Sequence, residues 1–247
     1  MYHFDIQKLI QPDGNDKLIG KIIPAWETRF QELGHTVGQC YQCQTDPSVI
    51  YINIPKCASS FMKREVTKLG WQPRFVKLGP RPITNEVEML DIDSINKIIV
   101  ILRDPYSRWL TGIGEYFKLY FEQEEVFGYL DHPLTLEILA NQITFDDHTM
   151  SQLYFLQNVP LEKCVFFKQD HSLNFKLFGY FYDILGIENT IIAAHPSHVS
   201  KQFTFNARVK QHLEKLLRSN STAYTKIQKA LAKDYEFTEE LVSYWGD

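Results

Sequence analysis

Two short, continuously apolar segments constrain the fold most. "SVIYINI" (residues 48–54) and "KIIVIL" (residues 97–102) are too short for buried helices, and nearly every position in them is apolar. Such runs are typical of strands that are covered on both faces of a parallel sheet. Each run is followed by a basic residue, Lys56 or Arg103, and then by a helical pattern. Alternating strands and helices predict an α/β fold with a mainly parallel sheet, whose ligands bind at the carboxyl ends of the strands.

The rest of the chain fits the same fold class. Hydrophobic residues make up 44% and aromatic residues 14% of the 247 residues, which is enough for a substantial core. We expect one domain over residues 1–247, with residues 1–48 as an N-terminal extension packed on the core. The other predicted elements are strands at 74–79 and 163–169, and helices at 59–70, 106–123, within 134–158, at 173–187 and over most of 206–245.

The loop after the first apolar run carries groups that bind anions. Lys56 begins the loop, and two small residues, Cys57 and Ala58, lead into the hydroxyls of Ser59 and Ser60 at the predicted helix start. Backbone N–H groups at a helix N-terminus favour negative charge. The loop therefore predicts a phosphate site. The same serines also suit a helix cap, and the sequence alone does not separate the two roles.

The loop after the second apolar run offers a second anion site. Arg103 carries a guanidinium suited to bidentate phosphate contact, and the hydroxyl of Thr111 follows about two helical turns later. No acidic metal-binding motif separates the two loops, and the Walker pattern G-x-x-x-x-G-K-[ST] is absent. Two separate phosphate sites fit a nucleotide that is phosphorylated at both ends of its ribose, and they do not fit a triphosphate held by Mg²⁺.

Charge and cysteine content limit the partners. The formal net charge is −4, so no global basic field indicates nucleic acid or an anionic membrane as a partner. Cys40 and Cys43 form a lone CxxC pair without the further ligands of a zinc site, so we favour reduced thiols over a metal site or a disulfide. No apolar run approaches the ~20 residues that span a bilayer. We therefore expect a soluble, cytoplasmic protein.

At these two loops the sequence resembles a known family. "IPKCASSFMK" is similar to the 5′-phosphosulfate loop of sulfotransferases that use 3′-phosphoadenosine-5′-phosphosulfate (PAPS). "ILRDPYSRWLTGIGEYF" is similar to their 3′-phosphate motif R-D-P-x-x-R-x-x-S, with Thr111 in the serine position. "DDHTMSQLYFL" is similar to the D-x-H-x-x-x-Q segment of the carbohydrate sulfotransferases, and the resemblance covers roughly residues 48–245. It implies a P-loop-like three-layer fold, with a central sheet flanked by helices.

The resemblance also implies an activity and a set of site residues. PAPS would be the co-substrate and adenosine 3′,5′-bisphosphate (PAP) the product. The sulfuryl group would pass by in-line displacement, without a metal, to a small-molecule or carbohydrate acceptor, with a hydroxyl as the expected group. Lys56 would contact the 5′-phosphosulfate and stabilise charge on the leaving phosphate. The other implied nucleotide contacts are Cys57, Ala58, Ser59 and Ser60 at the 5′ end, Phe61 at the adenine, Arg103 and Thr111 at the 3′-phosphate, and Ser200 and Lys201 in a late loop.

Three residues are candidates for the general base that takes the proton of an acceptor hydroxyl. Glu86 and Glu88 lie in the irregular segment before the second apolar run, where the resembling enzymes usually place a base. His148 belongs to the D-x-H segment. Each of them also has an ordinary structural role available, as a solvated loop charge or as a neighbour of a helix cap.

Two departures from the family pattern leave other functions open. Cys57-Ala58 replaces the commoner Thr-Gly or Ser-Gly, and Gln169 replaces the acidic residue of the family's E-D-L stretch. A second hypothesis is therefore a sulfotransferase-like protein that binds nucleotide without catalysis. A third is an ATP-dependent P-loop kinase, which predicts a Walker lysine and a Mg²⁺-binding pair that the sequence lacks.

Overall fold

The structure, a computed structural model, describes residues 37–77, 89–187 and 204–242. The chain divides into two compact units. The first, here called the sheet unit, contains the described parts of His35–Pro105, Ser151–Val199 and Asp234–Asp247. The second, here called the helical unit, contains the described parts of Tyr106–Met150 and Ser200–Lys233. Both basic residues that follow the apolar runs belong to the sheet unit.

Five of the described segments form one sheet, in the order β3-β1-β2-β4-β5. They are β1 (Val37–Gln42), β2 (Val49–Ile52), β3 (Gln72–Lys77), β4 (Lys97–Leu102) and β5 (Cys164–Lys168). β4 pairs in parallel with both β2 and β5, whereas β1 pairs antiparallel with β2 and β3. The fold is therefore α/β with a mixed sheet, in which β1 runs against the other four strands.

The prediction of a mainly parallel sheet is met only in part, and β1 accounts for the difference. This strand lies within the segment 1–48, for which an N-terminal extension packed on the core was predicted and no strand was expected. Only residues 43–48 join it to β2, and a parallel crossover needs about a dozen residues or more, so the pair is antiparallel. Its sequence, "VGQCYQ", contains no continuous apolar run that would reveal a strand.

The two apolar runs form central strands, as predicted. All four residues of β2 are buried, and so is β4 from Ile98 to Leu102. The two strands are parallel neighbours, with Ile52 opposite Val100. Because parallel neighbours end at the same edge of a sheet, the loops that follow β2 and β4 lie side by side.

Most of the described helices agree with the predicted pattern, but one of them, Val126–Asp131, lies in a stretch for which no helix was predicted. The described helices are α1 (Ser59–Lys68), α2 (Pro105–Tyr120), α3 (Val126–Asp131), α4 (Pro133–Asn141), α5 (Leu173–Gly179), α6 (Phe205–Ser219), α7 (Ser221–Ala230) and α8 (Ala232–Val242). α5 continues as a π-helical turn, Tyr180–Ile184, and the predicted stop at Gly186 has a φ of 61°. No helix in the described ranges is long and apolar enough to cross a membrane.

α1 is held against the sheet unit by an amphipathic face. Met62 and Val66 are fully buried, and Glu65 is only 4% exposed between them. The Glu65 carboxylate accepts from Arg64 Nε at 2.7 Å and from Lys68 Nζ at 3.2 Å, so its charge is paired. Gly70, at a φ of 78°, ends the helix in a conformation that glycine adopts without strain. The buried side chains of Met62 and Val66 therefore belong to the core of the sheet unit.

Candidate anion-binding site

The loop between β2 and α1 holds two non-glycine residues in the left-handed region. Lys56 has a φ of 65° and Ala58 a φ of 54°. A residue with a Cβ atom loses about 1–2 kcal/mol in this conformation. Backbone strain of this kind concentrates at active sites and ligand clamps. Position 58 is the one at which the resembling family carries glycine, which adopts this conformation freely.

α1 begins without a side-chain cap. Its N-cap residue is Ala58, and the first helical hydrogen bond runs from Met62 N to the Ala58 oxygen at 2.9 Å. Ser59 and Ser60 are the first two helical residues, so the alternative that they cap the helix is wrong. The N–H groups of the first turn have no partner within a helix, and these N–H groups are the ones that the sequence assigned to an anion.

Arg103 brings the second loop into contact with the first. It follows directly on β4, and its Nη1 donates a hydrogen bond to the backbone oxygen of Lys56 at 3.3 Å. The two cations predicted to bind opposite ends of a ligand therefore belong to loops that touch. Their positions at the ends of two neighbouring parallel strands agree with the place where such sheets bind ligands.

The Gln152 side chain forms hydrogen bonds with both loops, with Cys57 in the first and Arg103 in the second. Its Oε1 accepts from Arg103 N at 2.9 Å and from Cys57 Sγ at 3.0 Å, and its Nε2 donates to Arg103 O at 3.0 Å. The side chain is 1% exposed. The Cys57 thiol, which replaces the family's hydroxyl residue, is also fully buried and donates to this amide. The cysteine thus has a hydrogen-bonding role that its sequence position did not reveal.

Asp234 anchors Gln152 to a third part of the sheet unit. This carboxylate of α8 accepts hydrogen bonds from Ser151 Oγ and, at 3.0 Å, from Gln152 N. Asp234 is only 4% exposed, and hydrogen bonds to a buried charge are among the stronger ones in proteins. Gln152 and Asp234 were not among the predicted site residues. The glutamine of the D-x-H-x-x-x-Q segment was the sequence signal for Gln152, and the similarity of "KALAKDYEF" (residues 229–237) to the family's terminal Y-x-x-D-(F/Y) helix was the signal for Asp234.

A cavity of about 160 Å³ opens beside Arg103, at the carboxyl ends of β4 and β5. Its walls include the side chains of Arg103, Lys168 and Tyr235. The Tyr235 hydroxyl donates to Asp104 Oδ2 at 3.3 Å, which ties α8 to the second loop. The sheet unit therefore has concave space next to the arginine that is predicted to bind phosphate.

Two further predicted nucleotide contacts, Thr111 and Phe61, each have a contact within their own helix. Thr111, in the helical unit, donates its hydroxyl to the Ser107 oxygen at 2.8 Å, so its proton is used within α2. Phe61 lies beneath the Arg64 guanidinium, with 5.7 Å between its ring centre and the guanidinium carbon. Their roles at the 3′-phosphate and the adenine stay predictions. Ser200, Lys201 and the two base candidates Glu86 and Glu88 lie outside the described residues.

His148 forms a compact cluster with two aspartates in the helical unit. Its Nδ1 lies 2.9 Å from both Asp146 Oδ2 and Asp147 Oδ1. Burial lowers the pKa of His148, but the hydrogen bonds and charges of the two aspartates outweigh burial and raise it to about 9. A pKa this high favours the protonated imidazole at neutral pH, and a protonated imidazole has no lone pair to take the proton of an acceptor hydroxyl.

His148, Asp146 and Asp147 are residue types that bind metal ions, and one possible ligand atom of each lies within 4.8 Å of the others. Asp146 is already engaged, however. Its Oδ1 accepts from the backbone N–H groups of His148 and Thr149 at 3.0 and 3.1 Å, and from the Thr149 hydroxyl at 3.0 Å. The hydrogen bonds of Asp146 to residues 148 and 149, and the pairing of both aspartates with His148, account for the close approach of the three side chains.

The protonation of His148 should make stability depend on pH. Because its pKa is about 9 in the folded state and about 6.5 when unfolded, the stabilisation is full below pH 6.5 and is lost as pH rises through 9. We expect up to about 3 kcal/mol of unfolding free energy to disappear between pH 6 and pH 10. Urea unfolding of the wild type and of His148→Gln at both pH values measures this, because other titrating groups cancel in the difference. A difference that does not change with pH would contradict it.

The CxxC pair is built into the sheet unit as free thiols. Cys40 of β1 is fully buried, and burial raises the pKa of its thiol to about 12. Cys43 is 3% exposed, and its Sγ lies 3.3 Å from Thr45 Oγ1. Neither thiol is part of a disulfide. A thiol with so high a pKa is a poor nucleophile, so Cys40 acts as a small core residue.

Comparison of the whole chain with known proteins adds no relative. No protein-family model, no curated protein and no solved structure matches it.

Proposed function

We propose that the protein is a PAPS-dependent sulfotransferase with a P-loop-like three-layer fold. The observation that carries the proposal is the contact between the two basic loops, in which Arg103 Nη1 bonds to the Lys56 oxygen and Gln152 bonds to both loops. Two cationic loops at the ends of neighbouring parallel strands suit a ligand with two anionic ends. The uncapped start of α1 suits the 5′ end of such a nucleotide.

The residues of the sheet unit have distinct tasks in this proposal. The amides at the start of α1 bind the 5′-phosphosulfate, and Arg103 binds the 3′-phosphate. Lys56 stabilises the negative charge that develops on the 5′-phosphate as the sulfuryl group moves from its oxygen to the acceptor oxygen and PAP leaves. The proton of the acceptor hydroxyl passes to a general base, for which Glu86 and Glu88 stay the candidates. Sulfuryl transfer resembles phosphoryl transfer, so positioning and charge stabilisation supply most of the catalysis. Thr111 and His148, in the helical unit, carry no part of this proposal.

Calorimetric titration with PAP, and with ATP with and without Mg²⁺, tests the nucleotide specificity. We expect PAP to bind without metal and more tightly than ATP in either condition. Arg103→Ala should weaken PAP binding about 10- to 100-fold, because a charge-assisted contact is worth about 1.5–3 kcal/mol. Arg74→Ala, which removes a half-buried arginine of β3 at the far side of the sheet, is the matched control and should leave PAP binding unchanged.

The alternatives predict other results. Tighter binding of ATP with Mg²⁺ than of PAP would favour a kinase and would overturn the sulfotransferase proposal. Tight PAP binding without transfer of labelled sulfate from PAPS to any of a panel of alcohols, phenols and sugars would favour the inactive nucleotide-binding protein.

A further inference from the structure

The Gln152 amide occupies an unusual position between two loops that are distant in sequence. It forms two hydrogen bonds with one residue, accepting from Arg103 N and donating to Arg103 O, as a neighbouring strand would. The same oxygen also accepts from Cys57 Sγ at 3.0 Å. Only one orientation of the amide satisfies a backbone donor and a backbone acceptor at once, so its oxygen and nitrogen are assigned by these partners.

The backbone of Gln152 is fixed as firmly as its side chain. The Asp234 carboxylate accepts hydrogen bonds from Gln152 N at 3.0 Å and from the Ser151 hydroxyl. The side-chain oxygen of Ser151, Oγ, in turn accepts a hydrogen bond from Leu153 N at 3.1 Å. The Gln152 side chain, here called the spacer, therefore lies between the Lys56 loop and Arg103, with hydrogen bonds at its amide and at the backbone of the same residue.

We propose that Gln152 is a positioning residue that sets the spacing of the two loops and so makes the site selective for ligands with two anionic ends. The inference rests on the proposed function, because it takes these loops to be the two ends of a nucleotide site. A ligand with two anionic groups gains from loops that already stand at the matching distance. A ligand with one anionic group contacts only one loop, so its affinity should fall less when the hydrogen bonds of the spacer are removed.

Binding of two probes to wild type and variants tests the spacing. The probes are PAP, with phosphates at both ends, and adenosine 5′-monophosphate, with one. Gln152→Met keeps the side-chain length and removes all three hydrogen bonds of the amide. We expect the ratio of the two dissociation constants, which measures preference for PAP, to fall about tenfold or more in this variant. A general loss of structure would weaken both ligands together and leave the ratio unchanged.

A second pair of variants keeps the test independent of whether Gln152→Met folds. Cys57→Ala removes one bond of the spacer and leaves both bonds to Arg103, whereas Cys57→Ser restores a donor to the Gln152 oxygen. We expect the alanine variant to lose part of the preference for PAP and the serine variant to recover it.

The outcomes separate the inference from the function on which it rests. If the wild type prefers PAP but every variant retains the wild-type ratio, the inference is overturned and the proposed function stands. The inference is also overturned if Cys57→Ser and Cys57→Ala have the same ratio while Gln152→Met has lost its fold. A wild type that binds neither probe, or that binds both equally, overturns the proposed function and the inference together.

Discussion

Lys56→Ala is expected to slow sulfuryl transfer from PAPS roughly 10²–10³-fold, the usual loss when a group that stabilises transition-state charge is removed. The effect should fall on kcat more than on the affinity for PAP, because the charge at the leaving oxygen develops during transfer while other groups hold the ground state. Single-turnover rates with labelled PAPS, together with calorimetry of PAP, measure the two effects separately.

The backbone makes this substitution a clean test. Lys56 has a φ of 65°, and alanine carries the same Cβ atom, so it meets the same backbone strain as lysine. The Lys56 oxygen that accepts from Arg103 is a backbone atom and is kept. Lys63→Ala, at an exposed position of α1, makes the same change in charge and should transfer at the wild-type rate. Transfer by Lys56→Ala at the wild-type rate would remove this lysine from the chemistry.

The central strands and the two loops were predictable because their signals are local. Continuous apolar runs identified β2 and β4, and a basic residue followed by small residues and a helical pattern identified the Lys56 loop. The neighbouring position of Arg103 followed from the rule that parallel strands end at one edge. In contrast, β1 was missed, because "VGQCYQ" has neither a continuous apolar run nor a regular alternation of apolar and polar residues, and its conformation depends on pairing with β2 and β3.

Motif positions pointed to Gln152 and Asp234, but their hydrogen bonds to the two loops were not predictable, because these bonds join residues far apart in the chain. Gln152 bonds to Cys57 and Arg103 over 95 and 49 positions, and Asp234 bonds to Gln152 over 82. Such contacts leave no periodicity in the sequence. The raised pKa of His148 likewise depends on the rotamers of two neighbouring aspartates, which the letters "DDH" permit and do not require.

Gly112→Ala is expected to destabilise the helical unit strongly. A Cβ atom at this position of α2 would overlap the backbone carbonyl of His148, lying 2.8 Å from its carbon, and would also meet Thr149 Cγ2 at 3.1 Å. A backbone carbonyl cannot rotate away as a side chain can. Arg108, one turn earlier on the same face of α2, holds this segment by donating to the Met150 and Asp147 oxygens.

Because the segment is held on α2 by Arg108, the clash must be relieved by moving buried backbone. We expect a loss of about 3 kcal/mol, at the upper end for overpacking, and a fall in Tm of roughly 6–12 °C. Gly128→Ala in α3 is the control, because a Cβ there meets no atom within 4 Å. Alanine is the better helix former by about 0.5–1 kcal/mol, so this variant should melt slightly above the wild type. Equal melting temperatures for the two variants would show that α2 does not pack this closely on the segment after Asp146.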